Sequence, residues 1–359
     1  MSSITLQAVA KRFGDAVAVD GVSLEVAQGE FVSLLGPSGC GKTTTLRMIA
    51  GFIAPSAGDI RFDTQSVVGL PPYRRNIGMV FQSLALFPHM SVFDNVAYGL
   101  RLRRVTGGEL AERVQRMLDL VQLGAFAWRM PDELSGGQRQ RVAFARALAI
   151  DPKILLLDEP FAALDRKLRE EMQVELRRLH ERLRITTVFV THDQREAFTL
   201  SDRIAVINHG RIEQVGTPFD VYYRPATRFI ADFVGVANLL PARIESGPQA
   251  SDGQATVVLK GEGVTLQVPL AGREPPPGEG YLFIRPEFVL LDAQAQDDGA
   301  ALTATVTLVR FVGEQLETRL ETRGGNRLVA TYQGAEAPAV ETGQSVRVRL
   351  AARHASLLT

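Results

Sequence analysis

What the chain lacks narrows the problem before any motif is considered. Cys40 is the single cysteine in 359 residues, which excludes an internal disulfide framework and a cysteine-built metal site. No apolar run approaches the roughly 18 residues that a membrane-spanning helix needs. The N-terminus (Met1, Ser2, Ser3, Ile4, Thr5) has no basic stretch followed by an apolar core. The expectation is a soluble cytosolic chain whose membrane role, if it has one, comes through partners. Charge of one sign is missing as well, because 40 basic residues meet 40 acidic ones and the balance holds regionally. Neither half looks like a polyanion binder. The five histidines, at 89, 180, 192, 209 and 354, show no HExxH-type spacing.

What is present divides into two textures. From Ile4 to about Gly235, short β-branched or apolar runs alternate with longer helical patterns, which predicts an α/β domain with a largely parallel sheet. Phe31 to Leu35, Ile77 to Phe81, Ile154 to Leu157, Thr187 to Val190 and Ile204 to Ile207 are the expected strands. The run 154–157 is apolar at every position and suits a central strand covered on both faces. Leu168, Met172, Leu176, Leu179 and Leu183 mark the buried stripe of one amphipathic helix. Between about 84 and 150 helical periodicity dominates, including Leu110, Val114, Met117, Leu118 and Val121, which predicts an inserted helical subdomain. After Gly235, short runs such as Ala255 to Leu259, Tyr281 to Ile284, Thr303 to Phe311 and Val346 to Leu350 are punctuated by Gly, Pro and acids. They predict an all-β module over 236–359, with Pro275, Pro276, Pro277 and Gly278 as a rigid surface connection.

Two motifs carry the chemistry directly. Gly36, Pro37, Ser38, Gly39, Cys40, Gly41, Lys42 and Thr43 fit G-x-x-x-x-G-K-[ST] between a strand and a helix that runs on through Thr44. Glycines let successive N–H groups turn toward one centre, and the helix N-terminus adds positive potential, so the loop can cradle a triphosphate. Lys42 would neutralise the β and γ oxygens, and the Thr43 hydroxyl would ligate Mg²⁺. Asp158 and Glu159 then follow the apolar run 154–157. A carboxylate at a strand end beside the loop can hold the metal through Asp158, and Glu159 would orient or deprotonate a water facing the γ-phosphate. Cys40, inside the loop at a helix N-terminus, has a setting expected to lower its thiol pKa.

Leu134, Ser135, Gly136, Gly137 and Gln138 open another helix. Ser135 is placed to be its N-cap, and the alternative is a second phosphate site built from its hydroxyl and the glycine N–H groups. With this unaltered LSGGQ the sequence resembles the ATP-binding cassette (ABC) family, over residues 1 to about 235. The resemblance implies an α/β P-loop NTPase domain with a helical subdomain, cofactors ATP and Mg²⁺, and a homodimer in which the LSGGQ of one subunit closes over the nucleotide of the other. It further implies that Phe13 stacks on adenine and that Gln82 touches metal and water. Asp165, in Ala162, Ala163, Leu164, Asp165, matches the D-loop except at its first position, and His192 matches the residue that contacts the γ-phosphate.

Ser83 to Leu100, with Phe87 and Met90, resembles the importer surface that receives a membrane subunit. The tail, with Gly235 to Asn238 and Ile284 to Glu287, resembles the OB-type regulatory domain of polyamine, ferric iron, 2-aminoethylphosphonate and maltose importer ATPases. The implied role is the ATP-hydrolysing subunit of a binding-protein-dependent importer at the cytoplasmic face of the cell membrane. Its implied partners are two transmembrane permease subunits and, indirectly, an extracytoplasmic solute-binding protein. Polyamine is the first expectation for the solute, with ferric iron, 2-aminoethylphosphonate or a sugar as alternatives. A cassette ATPase acting on nucleic acid is the reading from another class. Against it, the tail is net acidic and lacks the basic groove that single-strand binding requires.

Overall fold

The computed structural model describes residues 2–245, 254–270, 277–292, 301–334 and 338–358. The chain divides into two compact units, Met1–Pro218 and Phe219–Thr359.

The first unit is built around a six-stranded sheet in the order Arg211–Gly216, Arg203–Asn208, Phe31–Leu35, Thr186–Thr191, Ile154–Asp158, Ile77–Val80. All neighbours run parallel except the edge pair 203–208 with 211–216. That pair is joined by a tight hairpin in which His209 and Gly210 both take positive φ (45° and 78°), the geometry that matches strand twist. The strands 31–35, 154–158 and 186–191 are buried at every position, and successive side chains serve opposite cores. Val32, Leu34, Ile154, Leu156, Val188 and Val190 pack in one cluster, and Phe31, Leu155, Leu157 and Phe189 in the other. Each such side chain contributes about 1.5–3 kcal/mol on burial.

The helices, in chain order, are α1 (Lys42–Ala50), α2 (Val92–Leu102), α3 (Gly107–Leu120), α4 (Gly136–Ala149), α5 (Arg166–Leu183), α6 (Gln194–Leu200), α7 (Pro218–Tyr223) and α8 (Arg228–Phe233). The expected helical insertion is present as α2, α3 and α4 around Val96, Leu100, Val114, Leu118 and Val142. One feature differs from the sequence reading. Ile4–Phe13, Ala16–Val26, Ala57–Phe62 and Gln65–Ser66 form a separate antiparallel sheet. Ile4, Leu6, Val9, Val22, Leu24 and Ile60 pack in the same cluster as α1.

The second unit is β-rich, as expected, with two five-stranded antiparallel sheets. One runs Thr265–Pro269, Gln254–Leu259, Asn238–Glu245, Gly278–Ile284, Ser356–Leu358, and the other Val289–Asp292, Ser345–Leu350, Ala301–Val312, Gln315–Thr322, Arg327–Gln333. Asn238, 2% exposed, stitches the sheets together as a peptide group would: its amide donates to Val329 O at 2.9 Å and its oxygen accepts from Val329 N at 2.7 Å. In the second sheet the Tyr332 hydroxyl bridges the two edge strands, donating to Val289 O (3.0 Å) and accepting from Leu291 N (2.7 Å). The proline cluster lies mostly outside the described residues.

The junction read from the sequence near Gly235 falls inside this unit, where Arg285 ties α7, α8 and the chain at 236 to the end of strand 278–284. Its guanidinium is fully buried and donates to Tyr222 O (2.9 Å), Ala231 O (3.2 Å) and Val236 O (2.9 Å), between the rings of Tyr222 and Phe283. It satisfies orphan carbonyls near the C-terminal ends of α7 and α8, where a cation is favoured.

Candidate functional site

Four neighbouring strands of the parallel sheet, 31–35, 186–191, 154–158 and 77–80, deliver the site from their carboxyl ends, where open α/β sheets bind ligands. Strand 31–35 leads into the glycine-rich loop. Gly41 holds φ 106°, and a Cβ there would lie 2.4 Å from Ala18 O, while a Cβ on Gly36 would lie 2.1 Å from Ile207 O. Both positions therefore demand glycine. Gly41 caps α1 with no side-chain hydrogen bond, so the first helical N–H groups keep their donor capacity for a ligand. Lys42 is 5% exposed, and its ammonium donates to Gly36 O at 2.7 Å and Pro37 O at 2.8 Å, folded across the loop that Ser38 and Gly39 leave exposed.

Cys40 corrects the sequence reading. It is 6% exposed, and burial pushes its thiol up despite the Lys42 ammonium 3.8 Å away. Desolvation of the thiolate outweighs the cation and the helix terminus.

Strand 154–158 ends in the two acids. Asp158 is 6% exposed and accepts from Thr43 Oγ1 at 3.2 Å. Burial raises its pKa, opposed by Thr43 and by Arg47, a cation of α1 that sequence reasoning did not single out. Glu159 sits at φ 44°, a strained position for a non-glycine residue, held by its N–H bond to Val190 O at 3.0 Å. Its carboxylate faces the neighbouring strand ends. Its Oε2 lies 3.2 Å from His192 Nδ1 and 3.5 Å from Gln82 Nε2. The structure thus gathers Thr43, Asp158, Glu159, Gln82 and His192, five residues from four strand ends. Gln82 was expected beside the metal, and its amide here faces Glu159.

The remaining expected residues are placed separately. Phe13 ends its strand with the ring 51% exposed and the Lys11 ammonium 5.1 Å from its centroid. Ser135 caps α4 in a closed box: its hydroxyl accepts from Gln138 N (3.3 Å) and Gln138 Oε1 accepts from Ser135 N (2.9 Å). Ser135 is exposed, Gly136 and Gln138 are partly so, and Gly137 is buried with Leu168 of α5 closest to where a Cβ would point. Asp165 caps α5 through Leu168 N at 3.0 Å. Phe87 and Met90 are half-buried.

This arrangement suits phosphate chemistry, with a loop of N–H donors and an ammonium beside a carboxylate aimed from a strand end. A family profile described as ABC transporter matches residues 19–162, and one described as TOBE domain matches 282–358. The spermidine/putrescine import ATP-binding protein PotA of Rubrobacter xylanophilus is 49% identical over 99% of this chain and 93% of its own length. The chain belongs to the ABC transporter family. It is an ABC transporter ATPase that binds ATP, carrying a β-rich TOBE domain after the ATPase domain. The Fe(3+) ions import ATP-binding protein FbpC of Brucella abortus is 44% identical over 97% of this chain and 96% of its own length. Among solved structures, the dimeric structure of a bacterial ABC transporter cassette matches with TM-score 0.54 and 37% identity, covering 60% of this chain and 98% of that one. No helix among the described residues of this ABC transporter ATPase is long and apolar enough to cross a membrane.

Proposed function

We propose that this ABC ATPase is the ATP-hydrolysing subunit of an importer for spermidine and putrescine, working as a homodimer on transmembrane permease subunits at the cytoplasmic face of the cell membrane. A binding protein outside the membrane would pass solute to those subunits. The PotA relatives support the solute, and the dimeric cassette structure supports the assembly. Ferric iron is the second reading, favoured by the FbpC relative.

The observation that carries the catalytic reading is the Glu159 carboxylate held between His192 and Gln82, beside the Thr43–Asp158 pair. Glu159 orients and deprotonates the attacking water. His192 and Gln82 hold the carboxylate in place, and Lys42 with the loop N–H groups binds the β and γ oxygens. Thr43 and Asp158 offer the hard oxygen donors that Mg²⁺ takes alongside substrate phosphates, so the residues fit that ion. Once bound there, Mg²⁺ would neutralise phosphate charge. Phe13 stacks on adenine, and Ser135, Gly136, Gly137, Gln138 and Asp165 meet the nucleotide of the facing subunit.

Glu159→Gln tests this reading. It keeps size and hydrogen-bonding capacity but removes the base, so ATP should still bind while turnover falls by about 10² or more. The variant should accumulate as an ATP-bound dimer on gel filtration with MgATP, whereas Asp158→Asn should weaken Mg²⁺-dependent binding itself. Hydrolysis at the wild-type rate by Glu159→Gln overturns the base assignment. Which uptake is lost, of labelled spermidine or of labelled ferric iron, when Glu159→Gln replaces the wild-type subunit in cells separates the two solutes.

A further inference from the structure

Arg169 belongs to none of the motifs, yet its guanidinium reaches three groups at once. From α5, Nη2 donates to Leu164 O at 3.0 Å, Nη1 to Asp193 Oδ2 at 3.3 Å, and Nε faces Glu196 Oε1 at 3.9 Å. Leu164 lies in the loop 162–165, and the two acids follow His192. The structure therefore joins, through one side chain, two loops that sequence reasoning treated as separate.

The acids themselves are set to hold the turn that carries His192. Glu196 is 4% exposed and accepts from Thr191 Oγ1 at 2.5 Å, while that hydroxyl accepts from Asp193 N at 2.9 Å. Asp193 caps α6 by accepting from Arg195 N at 2.8 Å and Glu196 N at 3.4 Å. A carboxylate buried this deeply needs a cation. Burial raises the Glu196 pKa, helped by Asp193 and opposed by the Thr191 bond and the Arg169 guanidinium. Just before this knot lies His192, whose Nδ1 meets Glu159.

We propose that Arg169 is a positioning residue for hydrolysis. Its planar fork ties the loop 162–165 to the His192 turn, with Glu196 as buried counter-charge, and so keeps His192 on Glu159. An ammonium presents a point charge on a flexible stem and cannot reproduce the paired Leu164 and Asp193 bonds while facing Glu196. The inference rests on the reading of Glu159 and His192 proposed above.

The test compares full-length Arg169→Met, Arg169→Lys, Glu196→Gln and His192→Ala with Arg178→Met, an exposed change on the same helix. MgATP kinetics, melting temperature and the His192 imidazole NMR signal, assigned by its loss in His192→Ala, are the readouts. Arg169→Met should lower kcat about ten- to a hundredfold with KM held within about twofold. The His192 signal should shift, Arg169→Lys should recover only part of the rate, and Arg178→Met should match wild type. Wild-type kcat in Arg169→Met, full rescue by lysine, or a kcat loss with an unmoved His192 signal overturns the proposal. If Arg169→Met does not fold, Glu196→Gln, which keeps the Thr191 contact, carries the same expectation, and normal turnover there is equally fatal. His192→Ala at wild-type turnover sinks the reading of the site and this inference with it. His192→Ala impaired beside an unimpaired Arg169→Met sinks this inference alone.

Discussion

The helix starts at Gly41 and at Ser135 were both expected to meet phosphate, and they solve the same problem in opposite ways. α1 opens on a glycine at φ 106° with no side-chain cap, so its leading N–H groups remain for a ligand, with a buried ammonium beside them. α4 opens on a serine whose hydroxyl and backbone are already satisfied by Gln138. The first start is complete only with an anion. The second is closed at the Ser135 and Gln138 N–H groups, and it can turn toward a partner's nucleotide through the Ser135 hydroxyl proton and the Gly136 and Gly137 N–H groups that the box leaves over. A shared resemblance to phosphate sites therefore covers two different energetic situations.

Lys42→Met puts the widest gap between the two starts. Losing a desolvated cation from the loop should weaken ATP binding by about a hundredfold or more, whereas Ser135→Ala should leave binding to the isolated subunit within about twofold. Equal losses in a fluorescence titration would make the two starts equivalent and break the comparison. Cys40 sharpens it next, because it lies in the uncapped loop. Burial pushes its thiol above the usual cysteine range, so the thiolate is scarce at neutral pH. Maleimide labelling should thus climb about tenfold per pH unit from 7 to 8 and level at a higher pH than that of a free thiol. A plateau below pH 8 would show that the open helix terminus, and not burial, governs the loop. Saturating ATP should slow the labelling at every pH.

The smallest effect concerns the closed start. Ser135→Ala removes the cap and should cost about 1 kcal/mol, a fall of roughly 2–4 °C in melting temperature for a unit of this size. Ser135→Asp caps equally well, so calorimetry should find its melting temperature unchanged, while the added negative charge should abolish MgATP-dependent dimers on gel filtration. Dimers that persist would remove Ser135 from the facing nucleotide.

Much of this architecture was legible because its cause is local. The run 154–157 is apolar throughout since both sheet faces are covered, and Asn208, His209 and Gly210 are residue types that mark a turn after strand 203–208. The ATPase loop needed only its glycines and lysine. What escaped depends on partners distant in sequence. The antiparallel sheet of 4–13, 16–26 and 57–62 was merged with the parallel one, because neither half-exposed strand nor hairpin states which sheet it joins. The Cys40 thiol was expected to shift down, since its place in the loop is readable and its burial is not. Arg169 and Glu196 look like ordinary helix-surface charges until the fold buries one against the other.

Arg285 sets where the chain can be cut. Its buried guanidinium serves carbonyls on both sides of the 223–228 connection and beyond, at Tyr222, Ala231 and Val236. The second compact unit is accordingly larger than its strands and begins at Phe219. A chimera or truncation joined at 235 would strip α7 and α8 of the cation that closes their ends, and would leave the recipient cassette with two frayed, apolar appendages. One joined at 218 carries its own fastening with it.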